Sequence, residues 1–277
     1  MNLFRVKEYY FHNKKIPSGK KLRFCLVSDL HGLEHGAKNG ELVQKLRQIA
    51  PDAILIPGDM VIRKDPKTCP RALAALRQME KIAPVFYSPG NHETLMGLKE
   101  ETEAVYEKYV RRVRGCGIYY LQNESMETEI SGVKVTFHGL ELPAVYYKKP
   151  FSPTVREKNM RTFLGECQKE SLQILLAHNP RFMDTYFSWG ADLTVSGHYH
   201  GGILRLGQHM GALSPQFHPF PKYCCGDFRN GEQAALVSAG LGEHTLPVRI
   251  HNPRELLVIT LGNQKNLPEH KGELHGY

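Results

Sequence analysis

The stretch Phe24-Cys-Leu-Val-Ser-Asp-Leu-His-Gly32 decides how the rest of the chain is read. Its first residues are mostly apolar and predict a short buried strand; Asp29 and His31 stand one residue apart just past its end. On an extended backbone, side chains at i and i+2 point to the same side, so this carboxylate and imidazole can grip one ion. An Asp-x-His triplet alone is a weak signal. It gains weight because four later segments also end an apolar run in ligand-type residues.

Downstream, Leu42, Val43, Leu46 and Ile49 recur at helical spacing within 41–50, and Pro51 stops that helix. The run Asp52-Ala-Ile-Leu-Ile56 is continuously apolar, as in a parallel-sheet strand buried on both faces, and Pro57-Gly-Asp59 follows at once. A helix at 71–82 leads to a strand at 84–88 with Pro89-Gly-Asn-His-Glu93 as its exit loop, and a helix at 99–114 leads to a strand at 118–121. This alternation implies right-handed βαβ crossovers. The segments 127–130 and 133–137, joined by Ser131-Gly132, then read as a hairpin, which makes the sheet mixed.

A polar helix at 154–170 precedes the strand Leu172-Gln-Ile-Leu-Leu-Ala177, which ends in His178. A helix at 181–189 precedes a strand at 192–195, which ends in Ser196-Gly-His-Tyr-His-Gly-Gly202. Closing strands are expected at 234–238 and 255–261, a surface loop at 141–153, the longest aperiodic stretch at 205–229, and a frayed polar tail from Asn263. The N-terminal Phe4-Arg-Val-Lys-Glu-Tyr-Tyr-Phe11 reads as an edge strand, or as an interfacial anchor whose aromatics dip between basic residues. No repeat or linker is visible, so one domain over 1–277 with its core at 22–262 is expected.

The 277 residues are 41% hydrophobic and 23% charged, as in an ordinary soluble globular protein. No apolar run approaches the roughly 18 residues that span a bilayer. The first residues carry charges where a signal peptide needs an apolar core, so a cytoplasmic address is expected. The six cysteines lack a Cys-x-x-Cys spacing, which argues against a disulfide framework; the adjacent Cys224 and Cys225 could bind a soft metal or be reduced structural thiols. The net charge of +8 points to anionic partners. Its clusters, Lys14 to Arg23 and Arg111 to Arg114, are not interleaved with aromatics, which speaks against a nucleic-acid groove.

Five strand-terminal loops therefore carry Asp29 and His31, Asp59, Asn91 and His92, His178, and His198 and His200. In open α/β sheets that carboxyl edge is where ligands sit. Imidazole with carboxylate and no thiolate suits manganese first, then iron, zinc or nickel. The donors are too many for one ion. Two ions about 3.5–4 Å apart, sharing a carboxylate, would use them all and hold a hydroxide for in-line attack on phosphorus. Two divalent ions against Asp29 and Asp59 leave a charge of about +2, which one hydroxide and one phosphodiester neutralise. That is a hint toward diesters or pyrophosphates over monoesters, and nearby cations such as Arg63 could reverse it.

The order Asp-x-His, Gly-Asp, Gly-Asn-His-Glu, His, Gly-His-x-His resembles the calcineurin-like metallophosphoesterases over about 22–261. The segments Ser238-Ala-Gly-Leu-Gly242, Pro247-Val-Arg249 and Asn252-Pro-Arg-Glu255 are similar to the bacterial YkuE/YaeI-type branch, related to UDP-2,3-diacylglucosamine pyrophosphatases. The resemblance implies an α/β fold, a four-layer α/β/β/α sandwich of two mixed sheets, with a dinuclear centre. It implies that Asp29, His31 and His200 bind one metal, that Asp59 bridges, and that Asn91, His178 and His198 bind the other. His92 would be the general acid, or a stabiliser of charge on the phosphoryl oxygens.

The protein-phosphatase branch orients that histidine with an Asp three residues after the bridging one, where this chain has Ile62. Glu93 or another group would orient His92 here, or His92 acts mainly as a hydrogen-bond donor. The expectation is thus a metal-dependent phosphohydrolase acting on phosphodiester, pyrophosphate or phosphomonoester bonds of a small-molecule or lipid-linked substrate, with peripheral membrane contact open. A non-catalytic metal-binding scaffold and a nuclease are the alternatives. Specificity would come from loops 34–39, 141–153 and 205–229, with His35, Phe217, His218 and Tyr223 as candidate lining residues. Oligomeric state is not legible.

Overall fold

The computed structural model describes residues 4–149, 152–202, 204–207, 209–214, 218–243 and 249–263, and the backbone of 270–271. Strands β1 (Arg5–His12) and β2 (Lys21–Leu26) are followed by helix α1 (Gly40–Ile49), β3 (Ala53–Ile56), α2 (Thr68–Glu80) and β4 (Val85–Tyr87). Helices α3 (Asn91–Gly97) and α4 (Glu100–Arg114) then lead to β5 (Tyr119–Tyr120), and β6 (Glu124–Ile130) to β7 (Val133–Leu140). After α5 (Glu157–Leu164) and β8 (Leu172–Ala177) come α6 (Met183–Trp189), β9 (Leu193–Ser196), β10 (Gly226–Asn230), β11 (Gln233–Val237), β12 (Glu255–Gly262) and β13 (His270–Lys271).

The strands form two sheets, ordered β13-β1-β12-β2-β3-β4-β5 and β10-β11-β9-β8-β7-β6. Parallel pairing runs from β2 through β5 in the first and from β7 through β11 in the second. Antiparallel pairs, β12 with β2, β6 with β7 and β10 with β11, make both sheets mixed.

Alternation along each strand assigns the layers. Phe24, Leu26, Ala53 and Leu55 share one core with Ile174 and Leu176 of the other sheet, whereas Cys25, Ile54 and Ile56 pack with residues of the first four helices. Leu175 and Ala177 turn the other way, onto Met160 of α5 and Met183 and Tyr186 of α6. The result is an α/β/β/α sandwich. Because helices cover the outer faces, the central strands are apolar on both sides, which is why they read as unbroken runs.

Several boundaries differ from expectation. Helix α2 begins at Thr68, and α5 ends at Leu164 because Gly165 takes φ 74°, rather than reaching 170. The exit loop at 89–93 already contains the first turn of α3. Strand β1 is not an edge strand: it pairs in parallel with β12 and antiparallel with β13. Tyr9 and Phe11, both 1% exposed, are core residues, so an interfacial anchor there is ruled out. The pairing of β13 also contradicts a tail frayed throughout. Pro247 and Phe217 lie outside the described residues. The described cysteines are all free, and Cys224 and Cys225 are buried beside Tyr199. No helix among the described residues is long and apolar enough to cross a membrane.

Candidate metal centre

All eight residues singled out in the strand-terminal loops come together at the carboxyl edges of the two sheets. Five of them take left-handed backbone: Asp29 (φ 51°), His31 (51°), Asp59 (56°), His198 (69°) and His200 (50°). This corrects the extended-backbone argument for Asp29 and His31, whose side chains are aimed by a turn instead. Asp and His enter this region more readily than most residues, at a cost of about 1–3 kcal/mol each. The loops hold one another there: His31 donates its N–H to the Asp59 carbonyl at 3.1 Å, Gly197 to His178 at 3.1 Å, and Gly242 to Asp29 at 2.6 Å. A Cβ on Gly90 would stand 2.3 Å from Asp59 Oδ1, so only glycine lets these two loops meet.

Glu93 is the clamp beneath them. Its fully buried carboxylate accepts the N–H groups of Asp59 (2.9 Å), Met60 (2.8 Å) and Gly90 (2.9 Å) and the hydroxyl of Tyr87 (2.7 Å). It is therefore committed to the backbone and does not orient His92. That role falls to Arg63, whose backbone N–H donates to His92 Nδ1 at 3.1 Å. With Nδ1 accepting, the proton of the neutral ring sits on Nε2, 4.0 Å from Asp59 Oδ2.

Among the described residues the donors fall into three overlapping groups, Asp29 with His31 and His200, Asp59 with His178 and His198, and His31 with Asp59 and His92, the ligand atoms within each lying no more than 4.8 Å apart. The tautomers suit a metal. His178 Nδ1 is 2.9 Å from the Pro57 carbonyl, and only an N–H can make that bond, so Nε2 keeps its lone pair. This Nε2 has no hydrogen-bond partner among the described residues; it approaches Asp59 Oδ2 to 3.1 Å, off a hydrogen-bonding angle, as co-ligands do. Asn91 Oδ1 is buried and likewise without a partner. The Nε2 atoms of His31 and His200 face each other at 3.2 Å, the spacing of two donors around one cation. Among the described residues these groups fit divalent ions.

The model of the calcineurin-like phosphoesterases matches residues 22–202. The chain belongs to that family. It is 26% identical over 250 residues to a Caenorhabditis elegans protein that carries the name metallophosphoesterase, covering 86% of this chain and 48% of that protein. With a similarly named Campylobacter jejuni protein it shares 24% over 268 residues, covering 95% and 66%. The chain thus spans about half to two thirds of the length of these relatives. Its fold is similar to that of a Staphylococcus aureus structure described as a 5′-nucleotidase, with TM-score 0.51, 14% identity, and 80% and 49% of the two chains covered.

In this phosphoesterase-family centre burial dominates the electrostatics. It pushes Asp29 up to about 6, Asp59 to about 7 and Glu93 to about 7, and it lowers the pKa of His178. A cation among them would offset that desolvation, and a neutral His178 is the form that ligates. The C-terminal segments close the centre from behind. Arg249 donates to the carbonyls of Ala239 (2.9 Å) and Gly242 (2.6 Å), and Asn252 to that of Gly202 (2.7 Å).

A cleft of about 720 Å³ opens over the donors. Of the loops expected to shape it, 34–39 contributes Glu34 and 141–153 contributes Tyr147 and Lys149, but among the described residues 205–229 contributes none. His35 turns inward, bonding the Leu241 carbonyl at 2.9 Å, and Tyr223 packs on Phe228. Neither they nor His218 line the cleft. The segment 62–71 does, through Ile62, Arg63, Lys64, Asp65, Thr68 and Arg71, of which the sequence singles out only Ile62 and Arg63.

Proposed function

We propose that the chain is a metal-dependent phosphoesterase holding two divalent ions, manganese or else iron, zinc or nickel. Asp29, His31 and His200 would hold one ion and Asn91, His178 and His198 the other, with Asp59 between. The observation that supports this best is His178, buried, with Nδ1 tied to the Pro57 carbonyl and with Nε2 facing Asp59 and having no hydrogen-bond partner among the described residues. Bound ions would supply Lewis-acid polarisation and an acidified water as the nucleophile.

The chain's own residues do the rest. Asp29 keeps its orientation by accepting the His198 N–H at 3.0 Å and the Ser28 hydroxyl, and Asp59 by accepting the His92 N–H at 2.8 Å. His92, held by Arg63, would offer its Nε2–H to the leaving group or to a phosphoryl oxygen. The substrate is a small phosphate ester, diester or pyrophosphate. The segments 238–242 and 252–255, packed behind the donors, support a place in the YkuE/YaeI-type branch; a single domain, a cytoplasmic address and a lipid-linked substrate belong to the same proposal.

Elemental analysis of the purified protein, with a bis(p-nitrophenyl) phosphate assay, tests it. Close to two metals per chain and manganese-stimulated cleavage are expected. No metal and no cleavage after reconstitution would overturn the reading in favour of a scaffold.

A further inference from the structure

The cleft carries more positive charge than one phosphate uses. Arg63 and Lys64 stand at the tip of a tight turn closed by the Asp65 N–H on the Ile62 carbonyl at 2.9 Å. Thr68 fixes its base, accepting the Ile62 N–H at 3.0 Å and donating to the Asp65 carbonyl at 2.6 Å. The turn is fastened to the centre by the bond from Arg63 to His92, so the position of Arg63 is set by the same ring that faces the ions.

Arg63 and Lys149 line the same cleft as Asp59 and His92, and so do Lys64 and Arg71. Of the acidic side chains there, Glu243 pairs with Arg254, which leaves Glu34 and Asp65 against Arg63, Lys64, Arg71 and Lys149. Two divalent ions with Asp29, Asp59 and one hydroxide keep a charge of about +1, which a phosphodiester alone neutralises. The lining cations, Arg63 and Lys149 among them, then outnumber by about two what a simple diester and these carboxylates neutralise.

We infer that the cleft is a two-anion site, in which Arg63 and Lys149 bind a second anionic group, phosphate or carboxylate, carried by the substrate beside the scissile phosphate. The inference deepens the phosphoesterase reading and rests on it. A guanidinium presents a planar fork that matches the paired oxygens of either group, and a nearby ammonium adds a point charge. The buried Tyr147, its ring 5.3 Å from that of His198, lines the same cleft.

Isothermal titration calorimetry on the manganese-loaded full chain tests this with three probes: methylphosphonate, methylenediphosphonate and phosphonoacetate, with metal content checked after each titration. At least one two-anion probe is expected to bind about 10- to 100-fold tighter than methylphosphonate, the gain of one or two charge-assisted hydrogen bonds. A gain for the diphosphonate identifies a second phosphate, and a gain for phosphonoacetate a carboxylate. The preference should collapse in Arg63→Gln combined with Lys149→Gln and persist in Lys108→Gln, which lies exposed on α4 outside the cleft. Equal affinity for all three probes, or a preference that survives the double substitution, overturns the inference. Absence of bis(p-nitrophenyl) phosphate turnover by the wild type counts instead against the phosphoesterase reading.

Discussion

On one wall of the cleft Asp59 and His200 are 2% and 4% exposed and take left-handed backbone, and Asp59 rests on the buried clamp of Glu93. On the other, Lys64, Arg71 and Lys149 are exposed and project from a turn, a helix start and a loop. The first wall has almost no conformational freedom left to lose, so ions can be gripped without further ordering. The second must still immobilise long side chains when a substrate arrives, at about 0.5–1.5 kcal/mol each. Substitutions on the ligand wall should therefore act on metal content and turnover, and substitutions on the basic wall on the choice of substrate.

The sharpest way to break this contrast is Asp59→Asn. Loss of the central charge should remove bound metal and lower kcat/KM by roughly 10³-fold or more, with circular dichroism unchanged. Retention of both would mean that the wall is not built around ions. His92→Ala comes next. Its rate should fall by about 10²–10⁴-fold with metal content intact, because the ring serves the substrate and not the ions. If metal were lost as well, His92 would belong among the ligands. Glu93→Gln separates support from chemistry: whichever way the amide turns, its NH₂ faces two backbone N–H donors, those of Asp59 and Gly90 or of Met60 and Val61, and can accept neither. Thermal unfolding should report a loss of about 1–3 kcal/mol, and manganese should bind more weakly.

The two walls were also unequally legible in the sequence. Asp29, Asp59, Asn91, His178 and their neighbours stood out because apolar runs have no packing reason to end in such side chains. The strands stood out because burial on two faces forces unbroken apolar stretches, as at 52–56 and 172–177. Helix α3 was hidden because its first residues are the functional Asn-His-Glu, and what starts it, the Glu93 carboxylate on the Gly90 N–H, leaves no periodic trace. The basic wall was hidden for a related reason. Its geometry depends on a Thr68 hydroxyl bonded to backbone and on Arg63 supplying a backbone N–H, and neither depends on a pattern of side-chain types. The partner of β1 lies 250 residues away in β12, a pairing that no local signal encodes.

The smallest effect, and the most specific to the ligand wall, is on pH. Without metal, burial holds Asp29 near about 6 and Asp59 and Glu93 near about 7, whereas unfolded carboxyls titrate near about 4. The folded apo chain therefore keeps protons that the unfolded chain has released. The stability tied to them is complete below about pH 4 and is lost as pH rises through about 6 to 7. Ions bind the deprotonated carboxylates of Asp29 and Asp59, so at pH 5.5 a metal must first displace protons and at pH 8 it does not. The stabilisation that manganese confers should accordingly be larger at pH 8 by something on the order of 1–3 kcal/mol, about one to two pKa units' worth. Thermal melts with and without saturating manganese at the two pH values measure it. A manganese-induced shift equal at both would show that these carboxylates are not the groups that meet the ion. The same melts on Arg71→Gln should leave the difference nearly unchanged, because that side chain belongs to the other wall.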